Sequence, residues 1–175
     1  DRSVSRGLGD VYKRQIEGRM KTALYVANVA RIYRMAIDDY YKDASLYEEK
    51  IPYYKAELEK GTYRQFTTGF FYGKPTHETQ IYDSNTYVKN YTYLGMIKSV
   101  NDEGLYGFEQ KNKFSVGDEI EVMRCDGTVH NVTVRRMTDD AGNEIESCPH
   151  PGQMIYIDTG MELSEYDIMR KRSDG

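Results

Sequence analysis

The sequence predicts a mainly β protein that begins with helices. Three observations support this fold class. Apolar residues recur with a helical period over residues 22–41, and the period changes to two after Gly61. Short β-rich runs then follow one another at roughly ten-residue spacing, with turn clusters between them, which is typical of a small antiparallel barrel or sandwich. We therefore expect N-terminal helices followed by one small antiparallel β-barrel.

Length and charge limit the possible classes of function. A chain of 175 residues suits one domain together with a helical piece of another. Its formal net charge of -4 disfavours a dedicated binder of nucleic acid or anionic membranes, although it leaves room for a local basic patch. No apolar run reaches the roughly 18 residues of a membrane span, and the N-terminus lacks the apolar core of a signal peptide. Membrane partners are therefore not expected.

The cysteines indicate the compartment. Cys125 and Cys148 stand alone, with no CxxC pair and no histidine at metal-ligand spacing. We expect two free thiols in a reducing environment, which predicts a cytoplasmic protein.

The first predicted helix follows a segment of different character. Residues 1–15 share no pattern with the rest of the chain, and we interpret them as a non-native leader. Over residues 22–41, apolar side chains fall at spacings of three, four and seven, and so on one face of a helix. With little nearby to cover it, this face predicts self-association. Its members are Val26, Val29, Ala30, Tyr33, Ala36, Ile37 and Tyr40.

A second, shorter helix is predicted over residues 52–60. Asp43 or Ser45 could cap a helix here, but Pro52 lacks an N–H group and should interrupt it. Gly61 would end the helix. The Glu- and Lys-rich composition of this segment suggests a linker between two units.

The β-rich runs begin at residue 62, which we take as the domain boundary. The β domain is expected to span 62–170, followed by a tail over 171–175. Its turns are predicted at YGKP, NDEG, SVGD, CDGT, DDAGNE and PHPG. The seven runs are TYRQFTTGFFYG, TQIYD, YTYLGMIKSV, GLYGFEQK, EIEVMR, VHNVTVRRM and QMIYIDT.

Two long stretches resemble peptidase family U32, the collagenase-like proteases. The first is IEGRMKTALYVANVARIYRMAIDDYYKD together with FTTGFFYGKP. The second is FEQKNKFSVGDEIEVMRCDGTVHNVTVRRMTDDAGNEIESCPHPGQMIYI. The resemblance implies a TIM-like barrel followed by a C-terminal β-barrel similar to the second domain of elongation factor Tu. IEGRM, which could otherwise be a protease cleavage site before a start methionine, would then end the last barrel strand. Residues 16–61 would be the strand end, helix and linker of a truncated TIM-like barrel.

The resemblance also implies partners and chemistry. Family members are classed as peptidases, whereas several bacterial members take part in hydroxylating a uridine of transfer RNA or a cytidine of ribosomal RNA. Related members bind an iron–sulfur cluster through barrel cysteines, but neither cysteine here lies in a matching segment. We expect an accessory binding module whose partners are the missing TIM-like barrel and either RNA or a protein substrate. A protein–protein interaction module without catalysis and a self-contained peptidase are the alternatives.

Candidate site residues lie at the predicted strand end. Residues there line the active-site face of a TIM barrel, and alternate residues on a strand point the same way. Glu17 and Arg19 are therefore candidates for catalysis. Arg19 and Lys21 are candidates for binding a carboxylate or phosphate. A structural salt bridge at the barrel rim is the competing interpretation.

A second group of candidates combines basic and aromatic side chains. Arg64, Phe71, Tyr72 and Lys74 are suited to contact RNA, because bases stack on aromatic rings and phosphates pair with cations. Packing inside a small barrel is the competing interpretation of the aromatic residues.

Other candidate chemistry is sparse. Cys148 and His150 could form a nucleophile and base, but neighbours two residues apart rarely reach that geometry. No metal site is predicted, because the three histidines lack ligand spacing. The segment NKFSVGDEIEV predicts a turn at Gly117 and Asp118, with Ile120 and Val122 pointing inward. A loop with Lys111, Lys113 and Glu119 that contacts RNA or the neighbouring barrel is the alternative interpretation.

Overall fold

The computed structural model describes residues 16–63, 73–74 and 88–173. The chain divides into two compact units between Lys89 and Asn90, called here the helical unit and the β unit. Two helices followed by antiparallel strands confirm the predicted fold class, while the domain boundary near residue 62 stays a prediction. The helices are α1 (Ala23–Lys42) and α2 (Ala44–Leu58). The strands are β1 (Thr62–Tyr63), β2 (Val88–Lys89), β3 (Tyr91–Met96), β4 (Ser99–Val100), β5 (Tyr106–Glu109), β6 (Glu119–Met123), β7 (Val129–Thr133), β8 (Arg136–Asp139), β9 (Met154–Asp158) and β10 (Ile168–Arg172).

Helix α1 agrees with the predicted period but buries a different face. Thr22 caps it, since its side-chain oxygen accepts a hydrogen bond from the N–H of Tyr25 at 3.2 Å. The buried residues are Leu24, Asn28 and Ile32. Four members of the predicted apolar face remain 39% to 57% exposed: Val26, Tyr33, Ile37 and Tyr40. We call these four residues the apolar stripe.

Helix α2 corrects the predicted break at Pro52. It runs from Ala44 to Leu58 through this proline, and Asp43 caps it by accepting from the N–H of Ser45 at 2.9 Å. Proline removes one hydrogen bond to the carbonyl of Glu48, but both residues are exposed, so water can satisfy that carbonyl. The segment with linker composition is therefore a helix that packs on α1.

Polar contacts join the two helices. Arg31 and Glu57 form an ion pair at 3.1 Å, with side chains only 6% and 7% exposed. The hydroxyl of Tyr54 donates to Asp39 at 2.5 Å, and Lys50 pairs with the same carboxylate at 2.9 Å. Burial and the hydrogen bond to Asp39 raise the pKa of Tyr54 to about 12. Because these partners lie on both helices, they help to select which face of α1 is buried.

The β unit consists of two four-stranded antiparallel sheets, ordered β3-β10-β6-β7 and β4-β5-β9-β8. Two of the passages from one sheet to the other are direct corners, between β3 and β4 and between β7 and β8. At the first corner, Ile97 and Lys98 donate their N–H groups to carbonyls on either side, and Val134 and Arg135 do the same at the second. Continuous chain therefore joins the two sheets at both corners, as in a small barrel, while β7 keeps an open edge. Ile120 and Val122 point inward as predicted and are buried.

Strand β10 was not among the predicted runs. It lies between β3 and β6, and it includes Lys171 and Arg172, which the sequence placed in a tail. The register of β10 shifts between Met169 and Arg170, and both of these neighbouring residues are buried instead of alternating between buried and exposed. Such a bulge disrupts the period of two on which strand prediction depends.

Close packing at one glycine is needed for the core. Gly95 of β3 lies against the ring of Phe108, and a Cβ atom at Gly95 would overlap that ring. The core around Phe108 also contains Leu94, Ile97, Phe114, Ile120, Val122, Val134, Met137, Cys148, Ile155, Ile157, Leu163 and Met169.

Candidate functional site

The residues predicted at a strand end lie in a turn before α1. The N–H of Lys21 donates to the carbonyl of Gly18 at 3.0 Å, and the N–H of Arg19 donates to Glu17 Oε1 at 2.7 Å. No strand forms over the described residues 16–20, since none of the described strands pairs with them. The roles expected for Glu17 and Arg19 at the end of a barrel strand therefore stay a prediction.

The two cations of this turn are nevertheless exposed. Arg19 and Lys21 both face solvent, and Lys21 Nζ lies 5.3 Å from the ring centroid of Tyr25. The first turn of α1 carries no acidic residue. The positive end of the helix dipole therefore adds to the charge of the two side chains.

The predicted RNA-contact group is described only in part. Lys74 is exposed. Arg64, Phe71 and Tyr72 lie outside the described residues.

The cysteine–histidine pair is not supported by the structure. Cys148 is fully buried, and its thiol donates to the carbonyl of Phe114 at 3.4 Å. Burial raises the pKa of this thiol, which works against the thiolate that a nucleophile requires. His150 is exposed, and Cys148 is packed in the core. A peptidase mechanism based on these two residues is therefore disfavoured.

The donor set does not fit an iron–sulfur cluster. Such clusters are held by four cysteine thiolates, and the chain contains two cysteines, of which Cys125 is exposed and Cys148 is buried. Over residues 16–63, 73–74 and 88–173, no group of three or more His, Cys, Asp or Glu side chains is arranged to hold a metal ion. None of the described helices is both long and apolar enough to cross a membrane.

A cleft of about 730 Å³ opens on the β unit where β7 turns into β8. Its walls are side chains of β6 and β7 and the loop that leaves β9. Its lining also includes Tyr91 of β3 and Arg172 of β10. The cleft thus combines the exposed edge of the first sheet with charged side chains of β6, of β10 and of the corner residue Arg135.

A buried arginine holds Glu121 and Tyr91, two residues at the floor of the cleft. Arg170 is fully buried, and its guanidinium contacts Glu121 Oε2 at 2.8 Å and 2.6 Å. Tyr91 donates its hydroxyl to Glu121 Oε1 at 3.0 Å, and its ring centroid lies 5.1 Å from the Arg170 guanidinium. The carboxylate of Glu121 is therefore fixed and neutralised. The sequence analysis missed this group, because Arg170 lies on the unpredicted strand β10.

Two other arginines lie at the rim of the cleft. The guanidinium of Arg135 occupies the space in which a side chain at Gly160 would lie, and Gly160 has a φ of +69°. Arg172 is exposed near the end of β10. Neither side chain forms a hydrogen bond or ion pair with another residue in the described part of the chain. Both are available to bind an anionic group.

The segment NKFSVGDEIEV forms the predicted turn. Asp118 accepts a hydrogen bond from the N–H of Ser115 at 2.9 Å, and Gly117 has a φ of +89°. Lys111 is paired with Glu109 at 2.5 Å, whereas Lys113 is exposed. Turn chemistry accounts for this segment without an RNA contact.

Comparisons with known proteins agree with this division of the chain. The model of the peptidase family U32 C-terminal domain matches residues 89–170, and the model of peptidase family U32 matches residues 8–81. The C-terminal domain of a U32 peptidase from Geobacillus thermoleovorans aligns in its crystal structure with a TM-score of 0.42. That alignment has 27% sequence identity and covers 46% of this chain and 99% of that chain.

Two curated relatives match most of the chain. tRNA hydroxylation protein P1 of Bacillus subtilis is 30% identical over 90% of this chain and 37% of its own length. tRNA hydroxylation protein P of Escherichia coli is 29% identical over 94% of this chain and 36% of its own length. The chain thus spans little more than a third of these relatives.

Proposed function

Since the chain belongs to peptidase family U32 and corresponds to the C-terminal part of its proteins, we propose that it is the RNA-binding accessory part of a tRNA hydroxylation protein. The observation that carries this proposal is the pair of tRNA hydroxylation relatives that match 90% and 94% of the chain. In this proposal the chain supplies binding, and the remainder of the full-length protein supplies catalysis in the cytoplasm.

The distribution of charge indicates which unit would contact RNA. Residues 16–89 carry eleven Lys and Arg against ten Asp and Glu. Residues 90–175 carry nine Lys and Arg against sixteen Asp and Glu, which gives a formal net charge of −7. Phosphate binding needs a positive surface, so the helical unit is the better candidate. Arg19, Lys21 and Lys74 would be its described contacts, and Arg64, Phe71 and Tyr72, which lie outside the described residues, are further proposed contacts.

Binding to a transfer RNA transcript at several salt concentrations tests this proposal. We expect fluorescence anisotropy to detect a complex at low salt that weakens as salt rises. The double variant Arg19→Ala/Lys21→Ala should lower the slope of log affinity against log salt by about two, because each removed cation releases one phosphate contact.

A matched control removes the same charge from the β unit. Lys98 and Lys113 are exposed, and the Lys98→Ala/Lys113→Ala variant should leave the salt dependence unchanged. Absence of a complex at low salt would overturn the proposal. An equal effect of both double variants would overturn the assignment of the RNA surface to the helical unit.

A further inference from the structure

We propose that the cleft of the β unit binds an extended acidic peptide, which adds to the open edge of β7 as a further strand. The proposal is independent of RNA binding by the helical unit. It rests on three features of the cleft. These are the unpaired edge of β7, the two available arginines Arg135 and Arg172, and the Glu121 carboxylate, whose charge is neutralised by Arg170.

The register of β7 determines which backbone groups face the cleft. The hairpin bond from the N–H of Arg124 to the carbonyl of Thr128 and the bond from Val134 to Asp118 fix the hydrogen-bonded pairs of β6 and β7. Because such pairs alternate along an antiparallel ladder, Val132 points its backbone groups toward β6, and Asn131 and Thr133 point theirs away from it.

These outward groups have no strand beside them. Strand β7 pairs only with β6 among the described strands, and Asn131 and Thr133 line the cleft. Further along the chain, Arg135 donates its N–H to the carbonyl of Asp158 in β9, which belongs to the other sheet. The chain that follows β9 lines the cleft at Thr159, Gly160 and Met161. The backbone donors and acceptors of two residues are thus presented to a partner, which is the arrangement that strand addition uses.

The charge of the cleft differs from that of its surroundings. The floor pair of Arg170 and Glu121 is internally neutral. Arg135 and Arg172 add two positive charges, and Glu119 adds one negative charge. Glu119 and Glu121 offset Arg135 and Arg172 in the lining itself, and the buried Arg170 behind Glu121 brings the total to one positive charge, on a unit of net charge −7. The cleft therefore complements an acidic partner better than the rest of the unit does. Arg135 is held over Gly160 beside the open edge, where it can reach a carboxylate on an added strand.

A peptide fits these features better than a nucleic acid does. An open strand edge offers alternating N–H and C=O groups, which a peptide backbone matches along its length. A nucleic acid would instead require many cations, and the acidic unit around the cleft would repel its phosphates.

Titration of the whole chain with three hexapeptides tests the proposal by amide NMR. The first alternates valine and aspartate, the second alternates valine and lysine, and the third is the aspartate peptide with alternate amides N-methylated. We expect the first peptide to shift the amide signals of Asn131 and Thr133. The lysine peptide loses the charge pairing, and the N-methylated peptide loses backbone hydrogen bonds. Each should therefore bind at least about threefold more weakly than the first peptide.

Two protein variants give an independent readout. Thr133→Pro removes an N–H that faces the cleft but takes no part in pairing with β6, so the strand should persist while affinity falls about three- to tenfold. Arg135→Ala/Arg172→Ala should abolish the preference for aspartate over lysine. If Thr133→Pro unfolds the unit, the N-methylated peptide still measures the backbone contribution on the unchanged protein.

Three results would overturn the proposal. One is binding of the N-methylated peptide as tightly as its parent. Another is no detectable shift at Asn131 and Thr133 with any peptide. The third is a shift at these two amides with hexauridylate but not with the aspartate peptide, which would assign the cleft to nucleic acid.

Discussion

Replacing Glu121 with alanine should destabilise the β unit far more than replacing Arg170 with methionine. The two side chains form one ion pair, at 2.6 Å, but their burial differs: the Arg170 side chain is 0% exposed and the Glu121 side chain is 14% exposed. Loss of Glu121 leaves a guanidinium in the interior without its neutralising carboxylate. Loss of Arg170 leaves a carboxylate that water can reach and that still accepts from Tyr91.

The magnitudes follow from this asymmetry. Removing one partner of a buried ion pair typically costs about 3–5 kcal/mol, and this range applies to Glu121→Ala. Arg170→Met fills the buried position with an apolar side chain and leaves a partly exposed carboxylate that water can reach, so we expect a cost of about 1–2 kcal/mol. The double variant Glu121→Ala/Arg170→Met should be more stable than Glu121→Ala, since it removes both members of the ion pair.

Urea unfolding followed through the amide signals of β6 and β10 measures these free energies in the β unit itself. Glu144→Ala is a matched control, because the exposed pair of Arg136 and Glu144 should contribute no more than about 1 kcal/mol. The reasoning would be refuted if Arg170→Met lowered the free energy of unfolding as much as Glu121→Ala.

Four further outcomes are expected. Cys125 should react with a thiol reagent in the native protein and Cys148 only after unfolding, so fast labelling of a Cys125→Ser variant would contradict the burial of the second thiol. Gly95→Ala should lower stability by about 1–3 kcal/mol through overpacking in the core, and an unchanged melting temperature would exclude this. The pKa of Tyr54, about 12 in the folded chain against an ordinary 10, means that its neutral phenol stabilises the fold fully below pH 10. This contribution should be lost as pH rises toward 12, and Tyr54→Phe should reduce the alkaline decline in melting temperature. The apolar stripe of α1 should cause self-association that Tyr33→Lys weakens, whereas a concentration-independent monomer by light scattering would disprove it.

Prediction from the sequence succeeded where local signals and tertiary packing agree. Thr22 precedes a clear helical period, and α1 begins at the next residue. In the hairpin of β6 and β7, Ile120 and Val122 alternate inward because turn residues and apolar period specify the same register. Pro52 marks the opposite case, since a strong local signal was overridden by the packing of α2 on α1.

The candidate site was less accessible to sequence reasoning. Arg19 and Lys21 could be selected as exposed cations, but their expected strand requires a neighbouring strand that no local pattern supplies. From the sequence, Arg170 looks like an ordinary charged surface residue. Only the bulge in β10 directs its side chain into the interior. Its partner Glu121 lies 49 positions away in the sequence.

By itself, the sequence determined the fold class, the order of helices and most strands, and the resemblance to family U32, because these depend on residue type and short-range period. The tertiary structure alone decided which face of α1 is buried, where β10 inserts, and how the cleft of the β unit forms. Those features depend on contacts between residues far apart in the chain. The energy of such a contact is realised only when the fold brings both partners together, so neither Arg170 nor the open edge of β7 has a local signature.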